Sequence, residues 1–286
     1  MPVLGDSGYE IIPPDAAIES TALLVVDHYT LDRDYEAGCR AWAERILVID
    51  DLADRPHDCD ILMDQTFGRL EGDYKALVPD HCEILAGSKY ALLRSQFSDA
   101  RENALQERKD RDGEINNILM MLGAGDKENV TGFALAALEQ LKDKTSVDVI
   151  MGANAPHLAS VQSQAQGSRH DIKVYSGVED VASFMAKADL AIGAGGTASW
   201  ERCCLGLPTL VIEIADNQHK IIQELEAVGA ILNAGLYKDL DAVEITEKIK
   251  YLSQEPDLVM DMSVKAAKVC DGKGASRLVD QVTRAV

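Results

Sequence analysis

Short apolar runs bounded by charged or turn-forming residues recur along the whole chain, and they set its rhythm. Ala22–Val26, Ile46–Ile49, Ile61–Met63 and Ile84–Ala86 have the length and flanks of buried parallel strands. Between the first two, Asp34–Glu44 carries the mixed pattern of a crossover helix. A charged stretch with few apolar positions, Ser98–Glu114, reads as a solvated helix running into an interdomain linker. The pattern then restarts: Ile118–Leu122 leads through Gly123, Ala124, Gly125 and Asp126 into an amphipathic helix over Val130–Leu141. Strands at Val147–Met151, Ile172–Tyr175, Leu190–Ile192 and Thr209–Ile214 follow, separated by helical stretches. Alternation of this kind predicts an α/β protein of two Rossmann-like doubly wound domains, residues 1–112 (with the linker) and 113–286, with ligands outside the carboxyl ends of the strands. No short repeat and no low-complexity tract interrupts it.

Composition narrows the partners. A chain of 286 residues with 47% hydrophobic residues can fill two ordinary cores. Its formal charge of −20 opposes nucleic acid as a partner, since phosphate polymers are held by clustered Lys and Arg. A small nucleotide is not opposed, because backbone amides and helix ends supply donors whatever the net charge. The six cysteines show no CxxC spacing and no histidine partners of metal-ligand type, so free thiols and no metal are expected. No apolar stretch approaches a membrane span and no leader pattern opens the chain, so the expectation is a cytoplasmic protein without membrane contact. No cofactor is expected.

The most informative stretch runs from Leu190 to Gln218. After the apolar run, Gly193, Gly195 and Gly196 permit a tight turn with close backbone approach, and Thr197 is placed to cap the following helix. Unpaired amides at such a turn suit a pyrophosphate. One helical turn on, Glu201 offers a carboxylate to two ribose hydroxyls. Asp216, Asn217 and Gln218 close the next strand and point at the same crevice, although Asp216 alone could be a helix cap. Gly123–Asp126 is a weaker second turn of the same kind. In the first half, Asp27, His28 and Tyr29 end a strand and could bind or catalyse, a hydrogen-bonded core histidine being the alternative. Asp50 and Asp51 could bind a metal, but nearby Arg55 favours a salt bridge. His57, His81, His157 and His170 are expected in exposed loops or turns, without a role.

Several strings carry a family resemblance: Asp27-His28-Tyr29 with Asp32, ILVIDDLADRPHDCDILMDQT from Ile46 to Thr66, YALLR from Tyr90 to Arg94, and IGAGGTASWERCCLGLPTLVIEIADNQ from Ile192 to Gln218. Together they resemble the UDP-2,4-diacetamido-2,4,6-trideoxy-beta-L-altropyranose hydrolases of pseudaminic acid biosynthesis. The C-terminal half also resembles the nucleotide-binding half of GT-B glycosyltransferases, particularly the peptidoglycan N-acetylglucosamine transferases. The resemblance implies a GT-B-like fold and a UDP-activated amino sugar as substrate. It further implies metal-independent attack of water on the anomeric carbon, and a supply of nonulosonic acid for flagellin or surface glycans. It would give Glu201 to the ribose, the Gly195–Ser199 turn (Gly195, Gly196, Thr197, Ser199) to the diphosphate, Asn217 and Gln218 to the diphosphate or sugar, and the segment Tyr175–Val178, with Val178, to the uracil. Tyr29 would face the sugar near the reacting carbon; His28, which could substitute as a base, and Asn217 join it as catalytic candidates, and Gly123 in its own turn could add donors. A monomer is expected.

One departure stands out. The family opens on a Gly-x-Gly-His-x-x-Arg-type loop whose histidine is its base, and Met1–Pro14 instead resembles a point well inside the first domain. The N-terminal domain is thus expected to be incomplete. Loss of a positioned base costs about 10²- to 10⁴-fold in rate, so binding should outlast turnover. A glycosyltransferase and a non-catalytic UDP-sugar binder remain the alternatives.

Overall fold

The computed structural model describes residues 20–284, and the Met1–Pro14 expectation lies outside them. Contacts divide the chain into two compact units, one reaching Asp64 and resuming over Leu70–Ala86, the other formed by Gln65–Arg69 and everything from Gly87 onward.

The first unit holds four parallel strands side by side in chain order: β1 (Leu24–Asp27), β2 (Ile46–Ile49), β3 (Ile61–Asp64) and β4 (Glu83–Ala86). Helix α1 (Arg33–Cys39) crosses from β1 to β2 and is shorter than its sequence pattern predicts. β3 is buried at every position, whereas β1 alternates, with Leu24 and Val26 inside and Val25 and Asp27 outside. Leu24, Val26, Ile46, Val48 and Leu62 share one core with Cys39, Tyr74 and Val78. The described strands of this sheet show no reversal of order.

The second unit has the reversal. Its strands are β5 (Asn117–Met121), β6 (Ser146–Met151), β7 (Asp171–Ser176), β8 (Leu190–Ala194), β9 (Thr209–Glu213) and β10 (Leu232–Leu236), all parallel, in the order β10-β9-β8-β5-β6-β7. The chain therefore leaves β5 in one direction and returns beside it with β8, which places a topological switch point between these two strands. Alternate residues serve opposite faces: Ile118 and Met120 of β5 enter one core with α3 (Val130–Leu138) and α8 (Ala242–Gln254). Leu119 enters the other, with α5 (Val181–Lys187), α6 (Ala198–Cys204) and α7 (His219–Ala227).

The segment read as a solvated helix running into a linker does form a helix with many exposed positions, but no linker between the units follows it. Helix α2 (Ser95–Lys109) belongs to the second unit, so the division falls at Ala86 and Gly87 instead of near residue 112. Its anchors are arginines more than apolar residues. Arg108 donates to the carbonyls of Leu205 (2.8 Å), Ala188 (3.0 Å) and Met185 (2.6 Å). Arg111 reaches Ala188 and Ala186, and Arg101 reaches Cys204, Cys270 and Ala267. These carbonyls lie at the C-terminal ends of α5, α6 and α9 (Pro256–Val269), where helices leave acceptors unpaired and favour a cation. The chain ends in α10 (Gly274–Arg284), tied to the preceding loop by Arg277 and Asp271.

Candidate nucleotide site

The switch point brings two glycine turns together. Met121 of β5 pairs with Gly193 of β8, so the Gly123–Asp126 and Gly193–Thr197 segments leave adjacent strand ends. They differ in what they offer. Asp126 fills its own helix end, its carboxylate accepting from the amides of Val130 (2.8 Å) and Thr131 (2.9 Å), while Asn129 takes the amide of Gly132. The expected extra donors near Gly123 are thus partly consumed, although Gly123 itself is exposed with open space above it.

At the β8 turn the fit is close. A Cβ on Gly195 would stand 2.6 Å from Cγ1 of Ile222, so only glycine lets α7 pack there. Gln218 lies over the turn: its Oε1 accepts from the amides of Gly195 (3.2 Å) and Ile214 (3.2 Å), joining the ends of β8 and β9. Its Nε2 stands 3.9 Å from the Cβ position of Gly196. The amides of Ser199 and Trp200 turn back to the carbonyls of Gly196 and Thr197. Those of Gly196 and Thr197 meet no protein acceptor among the described residues. Thr197 does not cap α6; it has helical backbone angles (φ −56°, ψ −28°) and its exposed hydroxyl makes no cap bond. Ser199 is buried and its Oγ accepts from Nη2 of Arg202 at 3.0 Å, so its side chain faces the core and not the crevice. Asn217 is exposed on the short 3-10 turn Asp216–Gln218.

Glu201 does not stand alone. Arg94, at the start of α2, approaches it with Nη2 at 3.7 Å and donates through Nη1 to the carbonyl of Glu179 at 3.1 Å. Gln96 donates to the same carbonyl and accepts from the amide of Ala182. One arginine therefore links Glu201 to the β7–α5 loop that carries half-buried Val178, the two residues expected at ribose and uracil. Burial pushes the Glu201 carboxyl above its usual range, and the charges of Arg94 and Arg202 oppose that shift. Arg94 and Arg202 escaped the sequence reading. A charged residue directly before the apolar run Cys203–Leu207 was the available signal for the second.

In the first unit, Tyr29 and His28 follow β1. His28 is exposed and its Nδ1 accepts from the amide of Thr30 at 3.1 Å, so it is not a core histidine. Tyr29 is 61% exposed and hydrogen-bonded to Asp51. The Asp51 charge, then partial burial and Asp27, raise its hydroxyl above the ordinary phenol range, which keeps it a donor. Asp51, which sequence reading gave no separate role, is itself raised by burial and by Asp50, Asp64 and Asp27. Asp50 is structural, as the salt-bridge alternative expected: Arg55 lies 2.8 Å from Oδ1 and the Tyr74 hydroxyl 2.8 Å from Oδ2. Among the described residues no group of three or more His, Cys, Asp or Glu side chains is arranged to hold a metal ion. His57 and His170, expected in exposed loops, are buried, His57 against Glu36 with Nδ1 2.7 Å from Oε1. Among the described residues no helix is long and apolar enough to cross a membrane.

Two parallel-sheet units, the second with a glycine turn and an acidic residue at its switch point, define a GT-B-like α/β protein. Residues 117–281 match the glycosyltransferase family 28 C-terminal domain, and the chain belongs to that family. It is 29% identical over 221 residues to the spore coat polysaccharide biosynthesis protein SpsG of Bacillus subtilis, a match covering 75% of this chain and 63% of that protein. It is 27% identical over 175 residues to the UDP-2,4-diacetamido-2,4,6-trideoxy-beta-L-altropyranose hydrolase of Campylobacter jejuni, covering 61% of this chain and 60% of the hydrolase. The chain thus spans less than two thirds of the length of both relatives. In structure it resembles MurG of Acinetobacter baumannii, with a TM-score of 0.66 at 13% identity over 93% of this chain and 74% of MurG.

Proposed function

We propose that this protein binds a UDP-linked sugar and hydrolyses it to free sugar and UDP, the substrate being a diacetamido-trideoxy sugar on the route to pseudaminic acid. The observation that carries the reading is the β8 turn, where the Gly196 and Thr197 amides meet no acceptor among the described residues and stand beside the Nε2 of Gln218. Donors held in place by packing suit an anion, and they stabilise the charge that develops on a departing diphosphate. Glu201 would accept from the ribose and Val178 would lie against the uracil. In the reaction, water adds to the anomeric carbon as its bond to the diphosphate oxygen breaks, and UDP leaves with the electron pair. Of the first-unit residues, Tyr29 would donate to the sugar. The proton of the attacking water passes to bulk solvent, since His28, whose Nδ1 accepts from the Thr30 amide, already carries its own proton at Nε2 and would act there as a donor.

The test is incubation of the purified protein with the UDP-diacetamido sugar, followed by separation of products. Free sugar plus UDP is expected; neither binding nor UDP release would refute the proposal. The family match favours a second reading, transfer to an acceptor. A glycosylated product formed from an added acceptor would establish that reading instead. Tight UDP binding without turnover would leave a UDP-sugar binder.

A further inference from the structure

Arg202 is a buried cation beneath the β8 turn, and its bonds account for only part of it. The residue is 2% exposed. Its Nη2 donates to the carbonyl of Ala194 at 2.7 Å and to Ser199 Oγ at 3.0 Å. Nε and Nη1 are buried without any acceptor, and no carboxylate accepts from the guanidinium. A buried charge in that condition is unfavourable unless something compensates it. Its position says what could. Nη1 stands 2.7 Å from the place a Gly193 Cβ would take, and the carbonyl of Met121 is 3.3 Å from that same point. The guanidinium therefore sits at the seam between β8 and β5, bonded to Ala194, the residue that leads into the turn whose amides are unpaired.

We infer that Arg202 is the positioning residue of an anion site at this turn: it holds the turn so that the Gly196 and Thr197 amides stay free, and it supplies from below the charge that balances a bound diphosphate. This rests on the nucleotide reading given above and adds a division of labour to it. Arg202 answers the diphosphate, whereas Glu201 and the Val178 loop answer the nucleoside. Gly193 is glycine because the guanidinium occupies the space of its side chain.

Titration calorimetry with UDP and with uridine separates the two. For the full chain, Arg202→Met should lower UDP affinity by about tenfold or more, the scale of one charge acting across several ångströms of partly polarisable interior. Uridine affinity should change by less than about threefold, and Arg202→Lys should recover part of the UDP affinity. Equal losses for UDP and uridine would reduce Arg202 to a folding residue and overturn the inference, as would unchanged UDP affinity. Should Arg202→Met give no cooperative melting transition, Gly193→Ala displaces the guanidinium without deleting it and must show the same selective loss; an unchanged ratio of UDP to uridine affinity refutes the assignment. A wild-type protein that binds neither compound overturns both the nucleotide reading and this one. Wild-type binding of UDP with indifferent variants overturns this one alone.

Discussion

Replacing Gln218 by glutamate separates what its side chain does for the fold from what it does for a ligand. The new carboxylate keeps an acceptor for the amides of Gly195 and Ile214, each 3.2 Å from Oε1, so the link between β8 and β9 survives. What disappears is the Nε2 donor beside Gly196, worth about 1 kcal/mol to a bound acceptor. What arrives is a negative charge near the anion. At about 5 Å, for a half-buried side chain, that repulsion is about 1 to 2 kcal/mol, between the fully hydrated and the protein-interior limits. The sum, about 2 to 3 kcal/mol, is a loss of roughly 30- to 150-fold in UDP affinity. Calorimetry on Gln218→Glu should show that loss with uridine affinity and melting temperature nearly unchanged. Gln218→Ala is the control: it strands the buried Gly195 amide and should cost about 1 to 3 kcal/mol of stability. If Gln218→Glu binds UDP within threefold of wild type, no diphosphate rests on this turn.

Other consequences are as open to measurement. Glu201→Ala should weaken UDP, UDP-N-acetylglucosamine and the diacetamido UDP-sugar alike, by about 10- to 100-fold for two charge-assisted hydrogen bonds partly offset by release of Arg94; a loss confined to one sugar would contradict a ribose role. Arg108→Met leaves the Leu205 and Met185 carbonyls without their donor, Ala188 keeping Arg111, and should cost about 3 to 5 kcal/mol in urea unfolding, and a cost below about 1 kcal/mol would show that these arginine bonds do not hold α2. The Arg277 hydrogen bond holds Asp271 down at about 2. A depressed carboxylate stabilises above its unfolded pKa and loses that contribution as pH falls through the folded one. The stability gap between wild type and Asp271→Asn, below about 1 kcal/mol for so exposed a pair, should hold from neutral pH to about 5 and close between about pH 4 and 2. A gap that widens on acidification would refute the pairing.

The central strands were legible because strands buried on both faces leave an unbroken apolar run: β2, β3, β5, β8 and β9 fall within a residue or two of their sequence patterns. β10 was not, since Leu232, Asn233, Ala234, Gly235 and Leu236 mix a polar residue and a glycine into an edge strand. How helix α2 attaches was misread for a different reason. Its grip comes from guanidinium groups meeting carbonyls of helices about eighty to a hundred residues further along, and hydropathy registers such residues as solvent-seeking. The same blindness to distant partners hid His57, whose carboxylate Glu36 lies on α1. Around the turn, the glycines announced a tight approach but not its content. Ile222 against Gly195, Arg202 under Gly193 and the inward Ser199 all depend on how α6 and α7 rotate onto the sheet.

Where the second unit can be cut follows from α2. Similarity to the family begins at residue 117, past the whole of that helix. A fragment started there would expose the carbonyl ends of three helices to water, strip Glu201 of its neighbour Arg94, and release the loop before α5 from Gln96. An expression boundary meant to isolate this half has to lie upstream of Gly87, so that the arginine helix travels with the sheet it fastens.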